Sequence, residues 1–275
     1  MNDPSPIGVF DSGYGGLTVL QEIEKLLPQY DFIYLGDNAR APYGSRSFET
    51  VYEYTLQCVQ WLFQQGCPLI ILACNTASAK ALRTIQQKYL PGNNPEKRVL
   101  GVIRPTAEII GKLTASNQIG ILGTKGTVKS ESYLIEIKKN FPDIDVFQQS
   151  CPLWVPLIEN DEYDTPGASY FIKKDIDLLL NKSAHIDTIL LACTHYPLLL
   201  PQISSYLPGG IRIISQGAIV AKSLEDYLRR HPEIEIKCSK NGLLKFYTTD
   251  ATEDFDRHSQ IFFGKEVNSH HLTIG

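Results

Sequence analysis

The sequence predicts an α/β fold in which mainly parallel sheets are sandwiched by helices. Three observations point to it. Short apolar runs of strand length alternate with longer stretches of helical periodicity. The helical stretches end at stop signals such as Pro28 and Gly66. Two strand-like runs, IILACNT at 70–76 and ILLACTH at 189–195, echo each other. Each ends in Leu-Ala-Cys before a polar residue and a following helix, which points to two related half-units, each presenting a cysteine at the carboxyl end of a strand.

Taken in order, residues 7–10 read as a strand and 17–27 as a helix stopped by Pro28. Residues 32–35 form a second strand, and 48–65 a helix ended by Gly66. The uninterrupted apolar run 69–73 is a buried strand, followed by a helix over 76–89 that Pro91 terminates. Further strands fall at 99–102, 119–122, 144–147, 188–192 and 211–214, with helical stretches between most of them. A helix over 217–230 follows the last of these, and 246–248 reads as one more strand. The turn-rich PGNNPEKR at 91–98 is the first linker candidate and 207–210 the second.

The chain has 275 residues, 43% of them apolar, enough for one large or two modest globular domains. A formal net charge of -4 gives no reason to expect a polyanion such as nucleic acid as partner. No basic-then-apolar leader and no spanning run of roughly 18 apolar residues is visible, so the expectation is a soluble cytoplasmic protein.

The six cysteines are Cys58, Cys67, Cys74, Cys151, Cys193 and Cys238. Without a secretion signal or CxxC spacing they read as free thiols. Cys74 and Cys193 stand out, because both sit between a strand and a helix N-terminus, where the helix dipole and amide donors favour a thiolate. Cys58, Cys67, Cys151 and Cys238 lack that context and read as structural.

Ligands of open α/β sheets collect at the carboxyl ends of strands. Those ends deliver Asp11 and Ser12; Asp37, Asn38 and then Pro42, Tyr43, Gly44 and Ser45; Cys74, Asn75 and Thr76; and Cys193, Thr194 and His195. Two thiols on facing half-units suit inversion at a Cα centre. One takes a proton from one face and the other returns one to the opposite face. Asp11 and His195 are acid–base helpers by position, or else a turn residue and a surface histidine. The hydroxyls, amides and backbone donors of the remaining residues suit a small zwitterion with an extra carboxylate, or are ordinary caps and turns. The Gly-rich loop DSGYGG at 11–16 resembles a dinucleotide fingerprint, but Thr18 stands where the third glycine is needed.

Other readings fit fewer residues. A small-anion or nucleotide-binding module rests on the Gly-rich loop alone. A metal site of Cys74, Cys193 and His195 has too few ligands at recognised spacings. A pyridoxal-phosphate enzyme needs a Schiff-base lysine, and no lysine has a suggestive context.

The stretches FDSGYGGLTV (10–19), LGDNARAPYGSRS (35–47), LACNTAS (72–78), ILGTKGTVKSESY (121–133), VPLIE (155–159) and LACTHYPLL (191–199) resemble the glutamate racemases, within the aspartate/glutamate racemase superfamily. The resemblance implies two pseudo-symmetric α/β domains, here 1–98 plus 211–275 and 99–210, with the active site in the cleft between them. It implies cofactor-independent racemisation. The thiol matching Cys74 would deprotonate D-glutamate, and the one matching Cys193 would deprotonate L-glutamate. Asp11, Glu159 and His195 match assisting acid–base residues; Glu159 enters on this ground alone. Asp11, Ser12, Pro42, Tyr43, Gly44, Ser45, Cys74, Asn75, Thr76, Cys193, Thr194 and His195 match substrate contacts. No metal and no cofactor are implied; a homodimer and supply of D-glutamate for peptidoglycan are. The nearest rival is a racemase of the superfamily acting on aspartate. The chain departs from the family pattern at Ala192, where many relatives have glycine, and at Ser215-Gln216-Gly217, where an Asp-containing turn is expected.

Overall fold

The computed structural model describes residues 4–274, and among these the chain alternates strand and helix throughout. The strands are β1 (Ile7–Asp11), β2 (Phe32–Gly36), β3 (Leu69–Leu72), β4 (Arg98–Gly101) and β5 (Gln118–Gly123), then β6 (Asp145–Ser150), β7 (Thr188–Ala192), β8 (Arg212–Ile214), β9 (Leu244–Thr248) and β10 (Ser269–His271). They form a six-stranded sheet, β10-β9-β2-β1-β3-β4, and a four-stranded sheet, β6-β5-β7-β8. All eight strand pairings are parallel.

The echo seen in the sequence is a topological one. The run β2-β1-β3-β4 and the run β6-β5-β7-β8 have the same strand order, with β3 and β7 in equivalent places. In each run the order reverses beside the first strand, between β1 and β3 and between β5 and β7. A reversal leaves a crevice at the carboxyl edge, because successive helices leave to opposite faces there. Cys74 follows β3 and Cys193 follows β7, so each thiol stands at a reversal point.

Burial explains why the strands are apolar runs rather than alternating patterns. All five residues of β1 are buried. Ile7 and Val9 pack with Leu17 and Leu20 of helix Leu17–Leu26, while Phe10 packs with Val51 and Val59 of helix Phe48–Gln64 on the opposite face. Each such side chain contributes about 1.5–3 kcal/mol by leaving water. Val9, Leu20, Leu122, Trp154 and Leu191 lie in one core cluster, so the two sheets share a continuous apolar seam. Among the described residues no helix is long and apolar enough to cross a membrane.

The structure departs from the sequence reading in several places. The helix expected to stop at Pro91 is interrupted after Lys80 and runs on through a wide turn at Ile85–Tyr89 to a last turn at Leu90–Asn93. Pro91 is tolerated because it lies in the first turn of that last piece, where its missing N–H has no helical partner to lose. Neither linker candidate is a crossing between sheets. PGNNPEKR leads into β4, which pairs with β3, and 207–210 leads into β8, which pairs with β7. The chain therefore changes sheets a few residues later than 98 and 210. It returns through helix Gly217–Arg230, which packs on helix Leu17–Leu26. The edge strand β10 has the largely exposed sequence SHH and carries no apolar signal.

Candidate active site

The carboxyl ends of β1, β3, β5, β6 and β7 surround a cavity of about 140 Å³. That is well below the ~300–1,000 Å³ of clefts for drug-sized ligands, so the space suits one small molecule.

Cys74 enters from the first sheet as the residue before helix Asn75–Lys80, and its Sγ accepts the Ala77 N–H at 3.4 Å. Ser12 Oγ lies 3.5 Å from the same sulfur. Despite these donors, burial and then the nearby Asp11 carboxyl push the Cys74 thiol up to about 12. The thiol form is therefore the resting one.

Cys193 enters from the other side. Its Sγ is 3.9 Å from His195 Nδ1, and His195 Nε2 is 3.0 Å from Glu159 Oε1 at the end of helix Trp154–Glu159. Burial alone would deprotonate His195. The hydrogen bonds with Cys193 and Glu159 outweigh it and push the imidazole up to about 10. His195 is thus an imidazolium at neutral pH, clamped between a sulfur and a carboxylate. Both thiols line the one cavity.

The sequence-named residues Ser12, Pro42, Tyr43, Gly44, Ser45, Asn75, Thr76, Thr194, His195 and Glu159 line it as well. The loop 42–45 is held from behind. Tyr43 donates its hydroxyl to Asp37, whose carboxylate also accepts Arg40 Nε at 2.7 Å and the Thr249 hydroxyl at 2.9 Å. The Tyr43 hydroxyl is therefore already engaged. Thr76 shares its hydroxyl with Thr124 at 2.9 Å, and Thr124 donates to Thr127 at 3.1 Å, joining the two halves across the cavity rim.

Asp11 is the exception among the named residues. It is wholly buried and does not line the cavity. Its carboxyl accepts the Gly13 N–H at 3.0 Å and the Thr194 hydroxyl at 3.4 Å. Burial pushes its pKa up, and His195 draws it back. The structure places its carboxyl beneath the cavity floor, bonded to Gly13 and Thr194.

The Gly-rich loop has a steric reason. A Cβ on Gly15 would stand 2.3 Å from Thr194 Oγ1 and 2.4 Å from His195 Nδ1. Glycine there lets the loop after β1 press against the Cys193 side, so the spacing that resembled a nucleotide motif serves packing across the halves.

Sequence reasoning missed Thr124, Lys125, Cys151, Pro152, Val155 and Pro156, all of which line the cavity. Thr124 and Lys125 follow β5, and Cys151 and Pro152 follow β6. The strand-end rule finds these four when it is applied to β5 and β6. Cys151, read as merely structural, is fully buried at the cavity wall; Cys58, Cys67 and Cys238 are buried away from it. All six thiols are free.

Comparison with known proteins agrees with this geometry. The family model for Asp/Glu/Hydantoin racemase matches residues 7–224. The chain is 37% identical to a glutamate racemase of Persephonella marina, over 98% of this chain and 97% of the relative. Its structure is similar to that of glutamate racemase isoform RacE1 from Bacillus anthracis, with a TM-score of 0.89, 33% identity and 99% of each chain covered. It is also similar to the Francisella tularensis glutamate racemase solved in complex with D-glutamate, with a TM-score of 0.87, 31% identity and 99% of each chain covered.

Proposed function

The chain belongs to the Asp/Glu/Hydantoin racemase family and is an amino-acid racemase, and on that premise we propose that it interconverts L- and D-glutamate by proton transfer between two cysteines at Cα. The observation that carries the reading is the pair of thiols. Cys74 and Cys193 stand at equivalent strand ends of two like-ordered sheets and line one small cavity.

In the resting enzyme the His195 imidazolium stands 3.9 Å from the Cys193 sulfur, while Cys74 keeps its proton. L-Glutamate binds with its carboxylates toward the amides and hydroxyls of Ser12, the 42–45 loop, Asn75, Thr76 and Thr194. The Cys193 thiolate takes the Cα proton, and the S–H bond of Cys74 breaks as its proton passes to the opposite face of the planar carbanion. D-Glutamate leaves with Cys193 as thiol and Cys74 as thiolate. The reverse reaction exchanges these roles. Glu159 fixes the orientation and charge of His195, and the buried walls exclude the water that would quench the carbanion.

The division into domains along the two sheets, a homodimer, a cytoplasmic location and supply of D-glutamate for peptidoglycan belong to the same proposal, on the ground of family resemblance. Its test is incubation with L-glutamate in heavy water without added cofactor. Loss of optical activity with deuterium at Cα is expected, and neither inversion nor exchange would remove the reading. Rates on glutamate and aspartate side by side decide against the aspartate alternative if glutamate turns over faster.

A further inference from the structure

Asn75 follows Cys74 directly and lines the cavity, yet most of its side chain is bonded away from it. Its partner Gln216 sits at the start of helix Gly217–Arg230, in the stretch where this chain departs from the expected Asp-containing turn. Both side chains are buried.

The bonds among these residues can run in only one sense. The Val102 carbonyl lies 3.1 Å from the Gln216 amide and can only accept, so that end of Gln216 is Nε2. Thr106 Oγ1, 3.0 Å away, gives its own proton to the same carbonyl and accepts from Nε2 as well. Gln216 Oε1 then faces Asn75, which must present Nδ2, at 2.8 Å. The Asn75 oxygen receives the Tyr133 hydroxyl at 2.6 Å, and one Gln216 Nε2 hydrogen goes to the Tyr133 oxygen while the other is shared between the Val102 carbonyl and Thr106 Oγ1, closing a ring of three side chains. Burial pushes the Tyr133 pKa well up and so keeps the proton it gives. Turning the Gln216 amide over would set two acceptors face to face in a buried site.

We infer that Gln216 is a positioning residue for the racemase reaction: through this ring a backbone carbonyl fixes the Asn75 amide so that its free hydrogen, on Nδ2, is presented as a donor to a substrate carboxylate. The inference rests on the racemase reading above. It concerns how the substrate is held, and the proton carriers are separate groups.

The test uses the variants Q216E, Q216M and Y133F. The titratable group bonded to position 216 is Tyr133 from helix Ser132–Asn140; Glu22 from helix Leu17–Leu26 lies against the next residue, Gly217, and Cys74 precedes the ring member Asn75. Arg104 on helix Ile103–Ala107 pairs with Glu108, and Cys193 acts on Tyr133 through space. In Q216E the protonated acid can still accept from Asn75 and donate onward. Once ionised, it captures the Tyr133 proton and releases the Asn75 oxygen. The KM for glutamate in Q216E should therefore rise about ten-fold between roughly pH 5.5 and 8.5, beyond any change in the wild type. kcat should move less than about three-fold. Q216M should show a raised KM at every pH. The Asn75 side-chain amide protons, followed by NMR, should exchange slowly in the wild type and rapidly in Q216M and Y133F. A KM in Q216E with the wild-type pH profile, or Asn75 amide protons equally protected in all variants, would overturn the inference. A wild type that fails to racemise glutamate defeats the reading of function instead. The amide-proton measurement still decides the ring, because it needs no substrate. Thermal melts show which variants are folded.

Discussion

Replacing His195 by asparagine removes the cation bonded to Cys193 among the described residues while keeping a polar side chain of similar reach. The size of the effect follows from the clamp. Cys193 lies 3.9 Å from Nδ1 and Glu159 lies 3.0 Å from Nε2. Together they lift the imidazole from 6.5 to about 10 against the opposing effect of burial. At about 1.4 kcal/mol per pH unit this is a coupling on the order of 5 kcal/mol, shared between two partners. Half of it assigned to the sulfur corresponds to a loss on the order of 10²-fold in kcat/KM at neutral pH. The loss must be the same from either enantiomer, because L- and D-glutamate have equal free energies in water. The pH profile supplies the signature. A raised imidazole stays cationic below its folded pKa, so wild-type activity should hold through neutrality and fall as pH approaches about 10. In H195N the alkaline limb near 10 should disappear, because the group that titrates there is gone. Stability follows the same sign: the clamp's contribution is whole below 6.5 and is lost as pH rises to about 10, so the denaturant midpoints of wild type and H195N should converge over that window. Circular dichroism of L-glutamate racemisation across pH is the assay. An H195N enzyme within about three-fold of wild type, with an unchanged profile, would refute the reasoning.

Glu159→Gln keeps a partner for His195 Nε2 but removes the charge, so the alkaline limb of the wild-type profile should move to lower pH; a limb that stays in place would separate Glu159 from the clamp. Cys74→Ser and Cys193→Ser should each nearly abolish racemisation. Each should retain slow deuterium wash-in at Cα of the enantiomer facing the surviving thiol, D-glutamate for C193S and L-glutamate for C74S, read by NMR in heavy water. Gly15→Ala forces a Cβ into Thr194 and His195 and should cost about 1–3 kcal/mol of stability by denaturant titration. It should also cost activity, since the displaced atoms belong to the clamp.

What the sequence made legible is what burial and strand ends dictate. Apolar runs such as 69–72 must be interior strands of a parallel sheet, and their first polar residues must stand at its carboxyl edge. That logic reached both thiols and most of the cavity wall. It stops at β5 and β6, whose ends carry Thr124 and Cys151, because a threonine or a lone cysteine after a strand carries no chemistry that marks it off from a cap or a core thiol. It does not place the Asp11 carboxyl, since position at a strand end does not tell whether a carboxyl faces the cavity or turns under the sheet toward Gly13 and Thr194. Glu159 was reachable only by resemblance. It stands at the end of the short helix Trp154–Glu159, and its partner His195 is distant in sequence, so no local pattern links them. The short exposed strand β10 and the helix continuing past Pro91 were hidden for the converse reason: an edge needs no apolar residues, and a proline in a first turn breaks no bond.

The two halves repeat one topology but treat their sulfurs differently. Cys74 sits at a helix N-terminus and beside a buried carboxyl, and the carboxyl and burial together win over the helix amides. Cys193 has an imidazolium instead. A symmetric site would gain nothing for a reaction whose two directions already have equal kcat/KM. It would leave both sulfurs with the same proton affinity, so much of the enzyme would rest doubly protonated or doubly ionised, and neither form can run a step that needs one base and one acid. Burial and the Asp11 carboxyl keep the proton on Cys74 through neutrality, and the other sulfur faces the imidazolium. The asymmetry falls on the form that accepts D-glutamate, in which Cys74 is the thiolate: raising the affinity of Cys74 further would make that form rarer without changing the thermodynamic balance of the reaction.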